Sequence, residues 1–225
     1  MDLALIYDNW ELFARGLQNT IILVSCSLLF GGVLAVPLAM VQAYNVPVLG
    51  KLALGYSYVF RGTPLLVQLF IIYYGLAQFE TVRNSIFWPV LREPFYCALI
   101  GFSLNGAAYA SEIFRGALLD VGKGYWEAAM ACGMSWAAAF RRIILPIALR
   151  KSIPAYSNEV IFVLHGSVLA STITVVDILG AGRQLNGTYY VTYEGFITAA
   201  ALYMAIVFTL SLVFRALEFK FLRFM

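Results

Sequence analysis

Three ionisable side chains stand inside otherwise apolar runs: Arg61 within Phe-Arg-Gly-Thr-Pro-Leu at 60–65, Glu112, and Glu159 directly after Asn158. A charge at the centre of a membrane costs about 2.5–3.5 kcal/mol to insert, so each of these residues needs a partner or a task. A guanidinium such as that of Arg61 can hold a carboxylate through two parallel hydrogen bonds, and a carboxylate such as that of Glu159 can hold a cationic group. Together with their polar neighbours Thr63 and Asn158 they suit a ligand that carries both charges. Plainer readings stand beside this one. Arg61 could end a helix and extend its head to lipid phosphates, and Glu112 could pair with Arg115 one helical turn on. His165, the single histidine, lies seven residues after Asn158 on the same helix side and suits a hydrogen bond between helices better than a metal site. Cys26, Cys97 and Cys132 match neither a metal-ligand spacing nor a disulfide framework. There is no Ser-His-Asp, paired-Asp or His-Glu-x-x-His grouping, and no glycine-rich phosphate loop followed by Lys and Ser or Thr. The chain is therefore not expected to be an enzyme or to hold ATP or any other cofactor.

The elements that position these residues follow from composition. The chain has 225 residues, 62% hydrophobic and 12% charged, about half the charge of a soluble domain. Apolar runs long enough to cross a bilayer occupy 20–41, 58–76, 95–114, 153–176 and 196–214. The expected fold is thus all-α: a polytopic membrane protein with five transmembrane helices, forming a single domain over 1–225. The amino end carries Asp2, Asp8 and Glu11 rather than basic residues, which argues against a cleaved signal peptide. Basic residues gather in the loop between the third and fourth runs (Arg115, Lys123, Arg141, Arg142, Arg150, Lys151) and in the tail (Arg215, Lys220, Arg223). Fewer lie on the other side, at Arg15, Arg83, Arg92 and Arg183. This bias puts the amino terminus outside and the carboxyl terminus in the cytoplasm. The net charge of +3 then reports topology, and no basic tract supports nucleic-acid binding.

Two features break the pattern. The second run is interrupted at Gly62 and Pro64, and backbone groups freed by such a break must face water, protein or substrate, so the break marks a candidate cavity. The loop at about 115–152 is too long for a turn. It reads as two short helices, one from about Gly122 to Gly133 and one from Ser135, a residue of N-cap type, ending before Pro146. Alanines leave a smooth face, with Met130, Met134, Trp136 and Phe140 as exposed apolar knobs suited to a groove on another protein. Composition alone equally allows a loop lying on lipid, anchored by Trp126 and Trp136.

The loop also carries a pattern: Glu127, Ala128, Ala129, then Gly133, Ile143, Leu145 and Pro146, with every fixed position filled. It resembles the cytoplasmic signature of permease subunits of bacterial ABC importers. The runs FRGTPLLVQLF at 60–70, AYASEIFRGAL at 108–118 and PAYSNEVI at 154–161 resemble the polar amino acid permeases of that superfamily, and the similarity covers nearly the whole chain. Leu164 to Leu169 reads LHGSVL where many glutamine-type relatives carry a Lys-Asp-Ser-Ser-Leu-like stretch, so the histidine, lysine, arginine, ornithine and opine subgroup is the nearer match. The resemblance implies import by alternating access across the bacterial inner membrane. It implies two copies of a cytosolic ATPase subunit that bind ATP and magnesium, a second and similar permease forming a heterodimer, and a periplasmic substrate-binding protein. It further implies that the signature residues form the docking element for the ATPase. An importer for glutamine-like substrates, or an ion-coupled transporter, is the alternative.

Overall fold

The computed structural model describes residues 3–222; Asp2 and Arg223 lie outside them. Among the described residues every regular element is helical. A short α1 (Leu3–Asp8) leads into the long α2 (Trp10–Ala43), followed by α3 (Leu49–Gly62) and α4 (Leu65–Phe70). The latter widens into a π turn at Ile71–Gly75 and tightens at Leu76–Gln78. Two single turns, α5 (Glu80–Arg83) and α6 (Trp88–Leu91), precede α7 (Pro94–Leu119). The loop contributes α8 (Lys123–Ala131), α9 (Trp136–Ala139) and a π turn at Phe140–Ile144. Then come α10 (Leu145–Gly166), which tightens at Ser167–Ile173, α11 (Ile178–Tyr189) and α12 (Thr192–Leu222).

Two of these helices, α2 and α12, are long and apolar enough to cross a membrane unaided, with mean hydropathy 2.4 and 2.2. The expected second run is not one straight helix. The chain bends by 101° between Leu49–Gly62 and Leu65–Gln78, because Pro64 has no amide hydrogen and drives Thr63 out of the helical region, to φ −115 and ψ 142. The stop expected before Pro146 does not occur either. Pro146 sits in the first turn of α10, where an amide hydrogen is not needed, and the preceding π turn leads the chain into that helix without a break. A second bend, of 41°, separates Trp136–Ile173 from Ile178–Tyr189.

The central packing is α2 against α7, made close by small residues. A Cβ on Gly31 would stand 3.1 Å from the Ser103 carbonyl oxygen and 3.3 Å from the Ala107 nitrogen, which is how helices approach where no water drives them together. Leu23, Leu69, Phe102, Leu164 and Ile173 fill the core around this pair. A second core, of Ala39, Leu118, Phe140 and Ile144, lies where the loop meets the bundle. The outer surface stays apolar, with Leu29, Val33 and Phe208 each more than half exposed, as a face that meets lipid must be.

The α10–α11 bend is closed by a buried polar knot. Asp177 caps α11, accepting from the Gly180 amide at 2.7 Å and from the Tyr203 hydroxyl at 2.9 Å. The Ile178 amide donates to the Thr20 hydroxyl at 3.2 Å, and the Asn19 side-chain amide donates to the Val176 carbonyl at 2.8 Å. Groups freed at the bend are thus tied to Asn19 and Thr20 of α2 and, through Asp177, to Tyr203 of α12.

Candidate functional site

The break after α3 leaves carbonyl groups without their helical partners. Gln68 folds back to meet them: its amide nitrogen donates to Phe60 O at 2.7 Å, Thr63 O at 3.1 Å and the Thr63 hydroxyl at 2.8 Å. Asn105 on α7 donates to the same Phe60 carbonyl and to the Gln68 side-chain oxygen, each at 3.1 Å. Thr63 donates its own hydroxyl to Val59 O at 2.8 Å. Thr63 is therefore spent on closing the break. Gln68 and Asn105 were not among the expected site residues; a primary amide in an apolar run is the signal that marks them, and Gln68 follows Pro64 by one turn.

Arg61, in the last turn of α3, reaches toward α7. Its guanidinium lies 3.4 Å from a Glu112 oxygen and 5.6 Å from the Tyr109 ring centroid. Glu112 also takes the expected pair with Arg115, at 2.8 Å. The long contact to Glu112 leaves guanidinium donors free, and the Arg61 side chain is 40% exposed.

Beside the break opens a cavity of about 390 Å³, walled by Leu65, Phe102, Asn105, Tyr109, Glu159, Phe162 and Val163. Glu159 is 8% exposed, and among the described residues its carboxylate has no hydrogen bond or ion pair within contact distance; Arg61 attracts it from farther off. The cavity thus presents an unpaired carboxylate, aromatic walls, and a guanidinium near its rim. Asn158 and His165 do share one helix side, as their spacing predicts, but both are exposed and neither lines this cavity. Asn158 and His165 thus form an exposed face of α10, because one residue along a helix turns the side chain by about 100° from Glu159.

The loop forms a second candidate site. The end of α8 is a Schellman turn: Gly133 adopts φ +75, with Gly133 N bonded to Met130 O at 2.9 Å and Met134 N to Ala129 O at 3.1 Å. Ser135 caps α9 by accepting from the Ala138 amide at 3.3 Å. The signature residues divide. Glu127, Ala128 and Gly133 are exposed, Ala129 is buried, and Ile143, Leu145 and Pro146 are half-buried, with Ile143 and Leu145 packed on the second core. Of the expected knobs, Met130 and Trp136 are exposed and Met134 half-buried. Phe140 is 8% exposed, because the π turn directs it into that core. Asp120 and Lys151 clamp the ends of the loop at 2.7 Å.

Residues 31–223 match the family described as binding-protein-dependent transport system inner membrane component. The chain belongs to this family. The permease is 44% identical to the nopaline transport system permease protein of Agrobacterium fabrum, over 94% of this chain and 88% of that one. It is 43% identical to the octopine transport system permease protein of Rhizobium radiobacter, over 96% and 89%. With the arginine ABC transporter permease protein of Haemophilus influenzae it shares 38% identity over 95% and 94%. Among solved structures it is similar to an amino acid ABC transporter with histidines, at a TM-score of 0.86 and 30% identity, covering 98% of this chain and 99% of that one. An inward-facing methionine ABC transporter shares the fold, at a TM-score of 0.72 and 20% identity, over 96% and 99%. The relatives are transport components rather than enzymes, and the family description makes the permease an inner-membrane component that works with a binding protein.

Proposed function

We propose that this permease imports amino acids with a cationic side chain, or opines, across the bacterial inner membrane. The observation that carries the reading is the pairing of an unpartnered carboxylate, Glu159, with a nearby guanidinium, Arg61, at one helix break. The α-carboxylate of the ligand meets Arg61, displacing the long contact to Glu112, and its cationic end meets Glu159. Tyr109, Phe102 and Phe162 enclose the stem between them. Thr63 fixes the break that presents Arg61, and Asn158 lies outside this cavity. The relatives named for nopaline, octopine and arginine transport support the same ligand class.

In the assembled importer the chain crosses the membrane five times, through α2, the broken α3–α4 segment, α7, α10 and α12, with the amino terminus outside and the carboxyl terminus in the cytoplasm. Two cytosolic ATPase subunits bind ATP and magnesium and dock on the loop through Glu127, Ala128 and Gly133, while Ala129, Ile143, Leu145 and Pro146 hold that surface in place. A second, similar permease completes a heterodimer, and a periplasmic protein delivers the substrate. The test is uptake by the complex reconstituted with its ATPase and binding protein. Arginine and opines compete for ATP-dependent uptake and glutamine does not; equal competition by glutamine would remove the cationic assignment.

A further inference from the structure

Four aromatic rings meet between the end of α2 and the docking loop: Tyr44, directly after α2, Trp126 on α8, Trp136 at the start of α9, and Phe140 at the start of the π turn. Trp136 stacks on Phe140 with centroids 5.4 Å and planes 3° apart, and on Trp126 at 5.4 Å and 24°. Tyr44 stands edge-on to all three, at 6.4, 5.4 and 6.0 Å, the arrangement that the ring quadrupole favours. Helix α8, which bears Glu127 and Ala128, packs on α9 and the π turn, and Trp126 joins it directly to Tyr44.

The end of α2 is in turn tied to the helices that reach the cavity. Gln42 donates to the Ser57 hydroxyl at 3.0 Å, and Ser57 pairs with Ser111 at 3.2 Å, joining α2, α3 and α7 through buried groups. The start of α3 is pressed onto α2, since a Cβ on Gly50 would meet Val41 O at 2.9 Å. One continuous packed path therefore runs from α8 through Tyr44 to α3, which carries Arg61, and α7, which carries Tyr109.

We propose that Tyr44 is a positioning residue whose ring passes displacement of the docking loop to α2 and α3, and so to the cavity. The proposal rests on the loop being the ATPase docking element. Coupling between two sites needs a physical element that both of them bias, and the ring cluster is where the loop and the α2–α3 block meet. The hydroxyl of Tyr44 makes no hydrogen bond among the described residues, so the ring alone serves.

The test uses the complete complex in lipid nanodiscs with Tyr44→Ala and Tyr44→Phe. Tyr44→Phe retains wild-type transport. Tyr44→Ala still co-purifies with the ATPase and keeps its basal hydrolysis, but stimulation of hydrolysis by the loaded binding protein falls about tenfold, within the usual range of a coupling free energy. Full stimulation in Tyr44→Ala overturns the proposal. Loss of co-purification in Tyr44→Ala overturns it as well, by making Tyr44 a support of the docking surface and not a joint. Failure of the docking reading looks different: Glu127→Lys would then co-purify and transport as wild type, whatever Tyr44 does.

Discussion

Glu159 lines the cavity, and Arg61 lies over the Tyr109 ring of its wall in a 3.4 Å contact with Glu112. Their support comes from neutral amides. Gln68 and Asn105 together satisfy the carbonyls of Phe60 and Thr63 at the break. Gln68→Ala removes the three hydrogen bonds that its amide donates at the half-buried break, each worth about 0.5–1.5 kcal/mol, and leaves Asn105 as the donor to Phe60. The variant is expected to lower the melting temperature of the purified permease and to weaken uptake through Arg61; an unchanged melting curve would count against the amide as a brace. Arg61→Lys keeps the charge but loses the planar fork. Apparent affinity for an amino acid is expected to drop in uptake assays even though net charge is preserved.

Among the elements, the loop at 115–152 joins an exposed face to a buried footing. Gly133 is the clearest single constraint, because at φ +75 a side chain costs roughly 1–2 kcal/mol. Gly133→Val is expected to reduce ATPase co-purification while leaving the chain inserted in membranes, and Glu127→Lys to do the same by reversing an exposed charge. Normal co-purification and uptake in both variants would remove the docking role. Much of this element was legible in the sequence. Gly133 as a stop and Ser135 as a cap follow from local chemistry, and the signature spacing is fixed along the chain. Phe140 was not legible as a core residue, nor Pro146 as a helix residue. Both depend on the π turn at Phe140–Ile144, and no residue type marks a π turn. The same limit applied at the cavity. Pro64 announced a break, but its 101° bend and the choice of Glu159 rather than Asn158 to face inward depend on how α10 packs on α7.

For the whole molecule, α12 lends little to the core, with 6% of its most apolar stretch buried against 28% for α2. Lipid or a partner subunit must cover the rest. Orientation can be read from a native thiol, because Cys132 is exposed on the loop at 115–152 while Cys97 is buried and Cys26 half-buried. A membrane-impermeant maleimide is expected to label Cys132 in inside-out vesicles and not in right-side-out ones; the reverse pattern would invert the proposed topology. The central claim is that Glu159 reads the positive end of the substrate, and kinetics of the reconstituted importer test it most directly. Glu159→Gln keeps the shape of the side chain and removes its charge. The account predicts that KM for arginine rises about tenfold or more, the equivalent of about 1.4 kcal/mol, with ATPase assembly intact. An arginine KM equal to that of the wild type would contradict it.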